Sequence, residues 1–226
     1  MKKILLFASV AALLVSCSSK PKYELDVNIH NNNSLMNGKF VVSQMINGTT
    51  VYSDTTKINK EQFVLEIPYK GQGLLNISIP GSNVRDIMLA AEEGKIQLNI
   101  DGTRSHFQGT PLNDRLQAFY QASDSVSQLF AQLDKEKSAF QSQPLPASLT
   151  PKMKADLQQK SDEFQQRRTQ LLKENTDRII AFIKENVDNP VGEYYFMTQY
   201  ITLPLDRKLE LNGFATPRLK SEFGIK

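Results

Sequence analysis

Thiol and imidazole side chains are scarce in this 226-residue chain, which has one cysteine, two histidines and no tryptophan. Disulfide exchange requires a thiolate to attack a second sulfur, so Cys17 alone offers no disulfide chemistry within the chain. Zinc sites built from several cysteines are excluded for the same reason. His30 and His106 stand far apart, and neither has a neighbouring ligand pattern. We therefore expect no metal site.

The motifs of the common catalytic sites are absent as well. The sequence has no glycine-rich phosphate loop, no G-x-S-x-G and no H-E-x-x-H. Its carboxylates are scattered along the chain. Asp54, Asp86 and Asp101 could line a cleft, but their spacing assigns them no role. We expect no catalytic residues, no cofactor and no enzymatic activity.

The N-terminal residues have the three-part layout of a secretory signal. Two lysines follow Met1, and Ile4 to Val15 then form an apolar or small run of twelve residues. Such a run is too short to span a bilayer, which needs about 20 apolar residues. It ends in Leu14-Val15-Ser16-Cys17, which resembles the lipobox of bacterial lipoproteins. We predict a signal peptide over residues 1–16 and lipidation of Cys17, for example by palmitate. An ordinary cleaved signal is the alternative.

Signal cleavage also changes the charge of the chain. The formal net charge is +3, and loss of Lys2 and Lys3 leaves the mature chain near +1. A nearly neutral body lacks the basic face of an electrostatic nucleic-acid binder, so no nucleic-acid partner is expected. Residues 17–22 form a short polar tether without an acidic run. We expect a periplasm-facing protein of the cell envelope, held in the inner or outer membrane by acylated Cys17.

Residues 23–108 have the pattern of short strands separated by turns. Tyr23 to Ile29 alternates apolar and polar residues, as a strand with one buried face does. Asn47-Gly48, a strong hairpin signal, separates Lys39–Ile46 from Thr49–Thr55. Further strands are predicted at Phe63–Ile67, Leu75–Ile79, Val84–Ala91, Lys95–Ile100 and around His106–Phe107. Seven or eight strands at this spacing indicate a sandwich or barrel, and we expect an antiparallel β-sandwich.

Residues 109–211 have helical periodicity instead. Thr110-Pro111 can open a helix, and an apolar stripe then continues from Leu112 to about Phe140. After a proline-containing break, Lys152 to Asn186 predicts a second long helix. The two would form an antiparallel hairpin that either binds a partner as a coiled coil or packs only on itself. The remaining predictions are an aromatic-rich helix at Val191–Tyr200, packed into the hairpin base, a turn or two at Leu205–Leu211, and a C-terminal tail over 212–226.

The fold class is therefore α+β, and the short junction near Gly109 predicts that its two parts interlock. Two segments carry a family resemblance: Leu89-Ala90-Ala91-Glu92-Glu93-Gly94-Lys95-Ile96-Gln97-Leu98, and Phe107-Gln108-Gly109-Thr110-Pro111-Leu112-Asn113-Asp114 at the start of a helix. With the segments Asp54 to Ile67 and Phe182 to Gly192, they resemble the domain of unknown function found N-terminal to the thioredoxin domain of thiol–disulfide interchange lipoproteins. The resemblance covers about Tyr23 to Leu211.

The resemblance implies an accessory role rather than a redox activity. Family members usually continue into a thioredoxin-like domain with a Trp-Cys-x-x-Cys motif, which this sequence lacks. We expect a non-catalytic binding or interaction module, with an envelope protein as its candidate partner, recognised through the sandwich edge or the hairpin. One alternative is the accessory half of a thiol–disulfide system that works with a separate thioredoxin-like protein. The other is a truncated gene product without present function.

Overall fold

The first part of the chain forms two four-stranded sheets whose apolar faces meet in one core. A computed structural model describes residues 22–225 except Leu145 and Ala147. One sheet has the order β4-β1-β7-β8 and the other the order β3-β2-β5-β6. The strands are β1 (Lys22–His30), β2 (Lys39–Ile46), β3 (Thr49–Lys57), β4 (Gln62–Pro68), β5 (Gly73–Ser78), β6 (Ile87–Ala91), β7 (Gly94–Asp101) and β8 (Arg104–Gln108).

The predicted β-sandwich and the α+β class are confirmed, with one difference in strand direction. All pairs are antiparallel except β1 with β7, which run parallel from Tyr23↔Gly94 to His30↔Asp101. Alternation of apolar and polar residues specifies which face a strand buries, but not the direction of its neighbour. The parallel pair arises because the chain leaves β1, builds the other sheet and β4, and returns only at β7.

Two long helices follow the sandwich and form the predicted antiparallel hairpin. They are α1 (Pro111–Gln141) and α2 (Pro151–Asn186), and α1 is about 46 Å long at 1.5 Å per residue. Near the tip, the ring centroids of Phe140 and Phe164 lie 5.8 Å apart. Farther down, Arg168 contacts Asp134 at 2.9 Å. The hairpin therefore packs on itself through apolar residues, with ion pairs along its flank.

Three short helices complete the chain: α3 (Pro190–Tyr200), α4 (Leu205–Asn212) and α5 (Pro217–Phe223). Helix α5 lies within residues 212–226, for which the sequence analysis expected a tail. Its N-terminus is capped, because Thr216 Oγ1 accepts a hydrogen bond from Leu219 N at 3.3 Å. Leu219 is buried in a second core with Phe196 and Leu211. One buried leucine in a short segment is too weak a periodic signal to predict such a helix.

The sandwich and the helices share their main core. Leu112, Leu116 and Phe119 of α1 lie in the same buried cluster as the inner faces of both sheets. Phe119 also stacks on Phe182 of α2, with ring centroids 4.1 Å apart. Tyr195 of α3 meets both rings edge-on. The aromatic helix thus packs into the hairpin base, as expected. No helix of the described residues is long and apolar enough to cross a membrane.

Candidate functional site

One side of the sandwich, where β6 and β8 are the edge strands, is closed by the first turns of α1. Asn113 is fully buried there. Its Oδ1 accepts a hydrogen bond from Ala90 N at 2.8 Å, and its Nδ2 donates to Ala90 O at 3.1 Å. These are the two bonds that a neighbouring antiparallel strand would make with Ala90. A side-chain amide therefore takes the place of the missing strand beside β6.

A second amide closes the other sheet on the same side. Gln117, one helical turn after Asn113, is buried, and its Oε1 accepts a hydrogen bond from Phe107 N of β8 at 2.9 Å. Asn113 is held in its orientation by a bond from Nδ2 to Thr110 Oγ1 at 2.8 Å. Because buried polar groups need partners, these contacts permit α1 to cover both edges.

Hydrogen bonds from the adjacent turns fix the position of the first turn of α1. Glu92 Oε2 accepts a hydrogen bond from Leu112 N at 2.9 Å, which satisfies a free N–H of the first helical turn. Asp114 Oδ1 accepts one from Gly109 N at 2.8 Å. Gly109 has φ +115°, and a Cβ there would clash with the carbonyl oxygen of Lys95. The segments 89–98 and 107–114, which carry the family resemblance, thus have a structural role in the strand-to-helix junction.

On the opposite side of the sandwich, where β3 and β4 are the edge strands, no helix of the described residues packs along either edge. Most side chains of the nine-residue strand β3 are exposed. Within β3, Thr55 N donates to the carboxylate of its neighbour Asp54 at 2.7 Å rather than to β2. Backbone groups of successive strand residues point alternately to opposite sides. The N–H and C=O groups of Ser53 and Thr55 therefore point outward, away from the sheet.

The strand register across this sheet gives the same result independently. Ala90 bonds outward to Asn113, so its partner Leu74 directs its backbone groups toward β2. Leu74 pairs with Met45, whose groups therefore point toward β5, as do those of Ser43 two residues earlier. Ser43 is opposite Ser53, so this pair exchanges no bonds. The backbone groups of Ser53 again point outward.

Half-buried side chains of β3 and β4 lie on the core side of these two edge strands. Phe63 and Leu65 of β4 are partly buried against the core, as is Tyr52 of β3. Asp54 lies opposite Val42, on the core side of its sheet, and its Oδ2 accepts from Tyr52 Oη at 3.3 Å. Burial, and then the charge of Asp54, raise the pKa of the Tyr52 hydroxyl. We call Ser53, Asp54 and Thr55 the open edge.

The structure separates the carboxylates that could have lined a cleft. Asp54 belongs to the open edge, Asp86 precedes β6, and Asp101 ends β7, where its Oδ1 accepts from Asn31 Nδ2 at 2.8 Å. His30 is opposite Asp101, and His106 lies near Gln121 on α1. No three His, Cys, Asp or Glu side chains of residues 22–144, 146 and 148–225 lie close enough to hold a metal ion. Cys17, the predicted lipidation site, lies outside the described residues.

The sequence analysis did not predict the roles of Asn113 and Gln117, whose side-chain amides cover the edges of β6 and β8. Asn113 and Gln117 interrupt the apolar stripe of α1, between Leu112 and Phe119, at a spacing of one helical turn. Polar residues at positions that should be buried are a signal in themselves, because they predict specific hydrogen-bond partners. The sequence has no comparable signal for the outward-pointing backbone groups of β3, because their direction depends on which strands pair.

Comparison with known proteins yields one match. A family model described as a domain of unknown function (DUF4369) matches residues 23–116. The matched segment contains all of the sandwich and the first turns of α1, including Asn113. No curated protein and no solved structure matches the chain.

Proposed function

We propose that this protein is a lipid-anchored, periplasm-facing binding module without catalytic activity, which pairs its open edge with an extended segment of a partner protein. The observation that carries the proposal is the contrast between the two sides of one sandwich. Helix α1 satisfies outward backbone groups of Ala90 in β6 and Phe107 in β8, whereas Ser53 and Thr55 of β3 direct theirs away from the sheet, and only a neighbouring side chain, Asp54, bonds to the N–H of Thr55. Addition of a strand to such an edge is a common mode of peptide recognition.

The local geometry limits where a partner strand can pair. The ladder between β2 and β3 is irregular between Gln44 and Met45, and Val51 has no partner there. From Tyr52 to Lys57 the register is regular. This stretch of β3 spans about 20 Å at 3.4 Å per residue, so a partner would pair about six residues. The exposed side chains of Ser53 and Thr55 are small and do not obstruct it.

The interaction of Asp54 with Thr55 protects this edge from unspecific strand pairing. The carboxylate occupies the outward N–H of Thr55, and a charge on the core side of an edge strand discourages unspecific pairing. An arriving strand would replace the carboxylate with one of its own carbonyl oxygens. Asp54 could then turn toward a basic side chain of the partner. A partner segment with Lys or Arg near this position would therefore bind preferentially.

The lipid anchor at Cys17 is proposed from the sequence alone. A lipid on Cys17 would place the sandwich close to the bilayer, since β1 already begins at Lys22. Labelling cells with a fatty-acid analogue, with Cys17→Ser as the comparison, tests the anchor. We expect the label on the wild type alone. Equal label on both, or label on neither, would contradict lipidation at this residue.

We further propose that the protein is related to the accessory domain of thioredoxin-like lipoproteins. Residues 23–116 match a domain of unknown function, and the segments 89–98 and 107–114 resemble the domain that precedes the thioredoxin domain of thiol–disulfide interchange lipoproteins. A separate thioredoxin-like protein of the same envelope is accordingly one candidate partner for the open edge. A disulfide reductase assay on the purified protein, with a thioredoxin as positive control, should give no turnover. Turnover that survives removal of contaminating thioredoxins would overturn the non-catalytic role.

Strand addition is tested with extended peptides selected against the full mature chain from a random library. Each selected peptide is then measured on wild type, Ser53→Pro and Ser53→Ala. Proline removes the outward N–H of residue 53, so binding should fall at least about tenfold, the effect of losing one good hydrogen bond. Ser53→Ala keeps the N–H and should bind normally. Insensitivity to Ser53→Pro, or failure to select any peptide, would overturn the proposal.

A second experiment tests which backbone amides of the bound peptide form hydrogen bonds. Methylation of alternate peptide amides should abolish binding in one set of positions and be tolerated in the other, because a strand directs every second N–H to its neighbour. Equal tolerance of both sets would show that the peptide binds through its side chains elsewhere.

A further inference from the structure

Arg178 of α2 is partly buried at the base of the hairpin, where it bonds to α1 and to its own helix. Its Nη1 donates to Phe119 O at 3.3 Å and to Ser123 Oγ at 3.1 Å, and its Nη2 donates to Asn175 Oδ1 at 2.5 Å. The guanidinium carbon lies 5.1 Å from the centre of the Phe119 ring. Every one of these partners is neutral.

The positive charge of Arg178 is therefore uncompensated within the described part of the chain. No carboxylate there lies within 4.0 Å of it, although other arginines of the helices, such as Arg167 and Arg207, have such partners. Its Nε is buried and has no acceptor. Burial lowers the pKa of the guanidinium, as expected for a cation withdrawn from water without a counter-charge. A partly buried cation of this kind favours an anion beside it.

A cavity of about 330 Å³ adjoins this guanidinium, between α1, α2 and α3. Val126, Phe130 and Ile179 give it a hydrocarbon wall, and Ser127 and Gln199 contribute polar groups at its rim. At about 30 Å³ for each water-sized group, the cavity holds roughly ten non-hydrogen atoms. It thus combines one unpaired positive charge with an apolar wall.

We infer that this cavity binds a small amphiphilic monoanion, with its carboxylate at Arg178 and a short aliphatic chain against Val126, Phe130 and Ile179. One unpaired cation matches one negative charge. Three of the five guanidinium N–H donors are already used and Nε is buried, so Nη2 retains one hydrogen for the ligand. The apolar wall favours an anion with a hydrocarbon part over a purely inorganic one. The site is separate from the open edge and does not depend on it.

The test is a titration of octanoate, which has about ten non-hydrogen atoms, into the full mature chain carrying Cys17→Ser, so that no detergent is needed. Backbone amide shifts of Ser127 and Gln199 report on the cavity. 1-Octanol supplies the same chain without charge, and sulfate supplies charge without a chain. Octanoate should bind at least about tenfold more tightly than either, the gain of a charge-assisted bond combined with apolar contact.

Three variants locate the binding. Arg178→Gln should weaken octanoate at least about tenfold, and Arg167→Gln, an exposed arginine of the same helix, should leave it unchanged. Should Arg178→Gln fail to fold, Ser127→Leu leaves the bonding partners of Arg178 in place while narrowing the rim of the cavity, and it should also weaken octanoate binding. Equal binding of 1-octanol or sulfate, equal effects of the two arginine variants, or no octanoate binding would each overturn the inference.

Discussion

The two sides of the sandwich differ in what bonds to the outward backbone groups of their edge strands. On one side, Asn113 and Gln117 of α1 bond to the backbone of β6 and β8, and all of these groups are buried. On the other side, the backbone groups of Ser53 and Thr55 in β3 point away from the sheet, and the N–H of Thr55 bonds to the exposed side chain of Asp54. A buried backbone group costs free energy when unpaired, whereas an exposed one bonds to water. The closed side therefore carries stability, and the open side can change partners without affecting the fold.

The largest effect should come from removing the buried amide that serves both groups of Ala90. Asn113→Leu keeps the size of the side chain but leaves the N–H and C=O of Ala90 unpaired. We expect a loss of about 4 kcal/mol in the free energy of unfolding, from about 1–3 kcal/mol per group. Urea unfolding measures it. Gln128→Leu, on an exposed position of the same helix, is the control, and an equal loss there would mean that Asn113 has no special role.

Proline placed at adjacent positions of β3 tests the direction of its backbone groups. Asp54 directs its N–H toward β2, so Asp54→Pro should break a ladder bond and cost about 3 kcal/mol. Ser53 directs its N–H outward, so Ser53→Pro should cost less than about 1 kcal/mol, as proline does on edge strands. Thermal or urea unfolding compares the two. The reverse order would show that the assigned direction is wrong.

Removal of the second amide should have about half the effect of removing the first. Gln117→Leu leaves only the N–H of Phe107 unpaired, which should cost about 2 kcal/mol. Combined with Asn113→Leu, the losses should be nearly additive, since the two amides serve different sheets. A combined loss no larger than that of Asn113→Leu would indicate that α1 detaches as a unit once its first contact is gone.

The smallest effect concerns the flank of the hairpin, which touches neither edge. A hydrogen bond from Arg167 lowers the pKa of the Glu136 carboxyl below its ordinary value of 4.5. A carboxyl with a lowered pKa stabilises the fold above its unfolded-state value, and this contribution disappears as the pH falls through the lowered pKa. Arg167→Gln should therefore reduce the unfolding midpoint slightly at pH 7 and hardly at pH 3. The pair is exposed, so high salt should reduce the difference. An equal reduction at both pH values would contradict this origin.

Local patterns predict the elements of this fold well, because each strand and helix buries one face. The alternation in β1 and the stripe of α1 through Leu112, Leu116 and Phe119 both match the buried residues. The parallel pairing of β1 with β7 could not be predicted, since it depends on contacts about 70 residues apart. The same holds for Asn113, whose partner Ala90 lies in another element. Alternation likewise could not reveal that β3 is an edge strand.

Native-state hydrogen exchange of individual backbone amides compares the two edges most directly. Ala90, Phe107 and Ser53 all lie on edge strands and direct their N–H groups away from their own sheets. The first two donate to buried amides of α1, so they should exchange only with global unfolding. Ser53 should exchange at least about a hundredfold faster, and should become protected when a selected peptide is bound. Protection of Ser53 in the free protein, or fast exchange of Ala90 and Phe107, would contradict the distinction between a closed and an open edge.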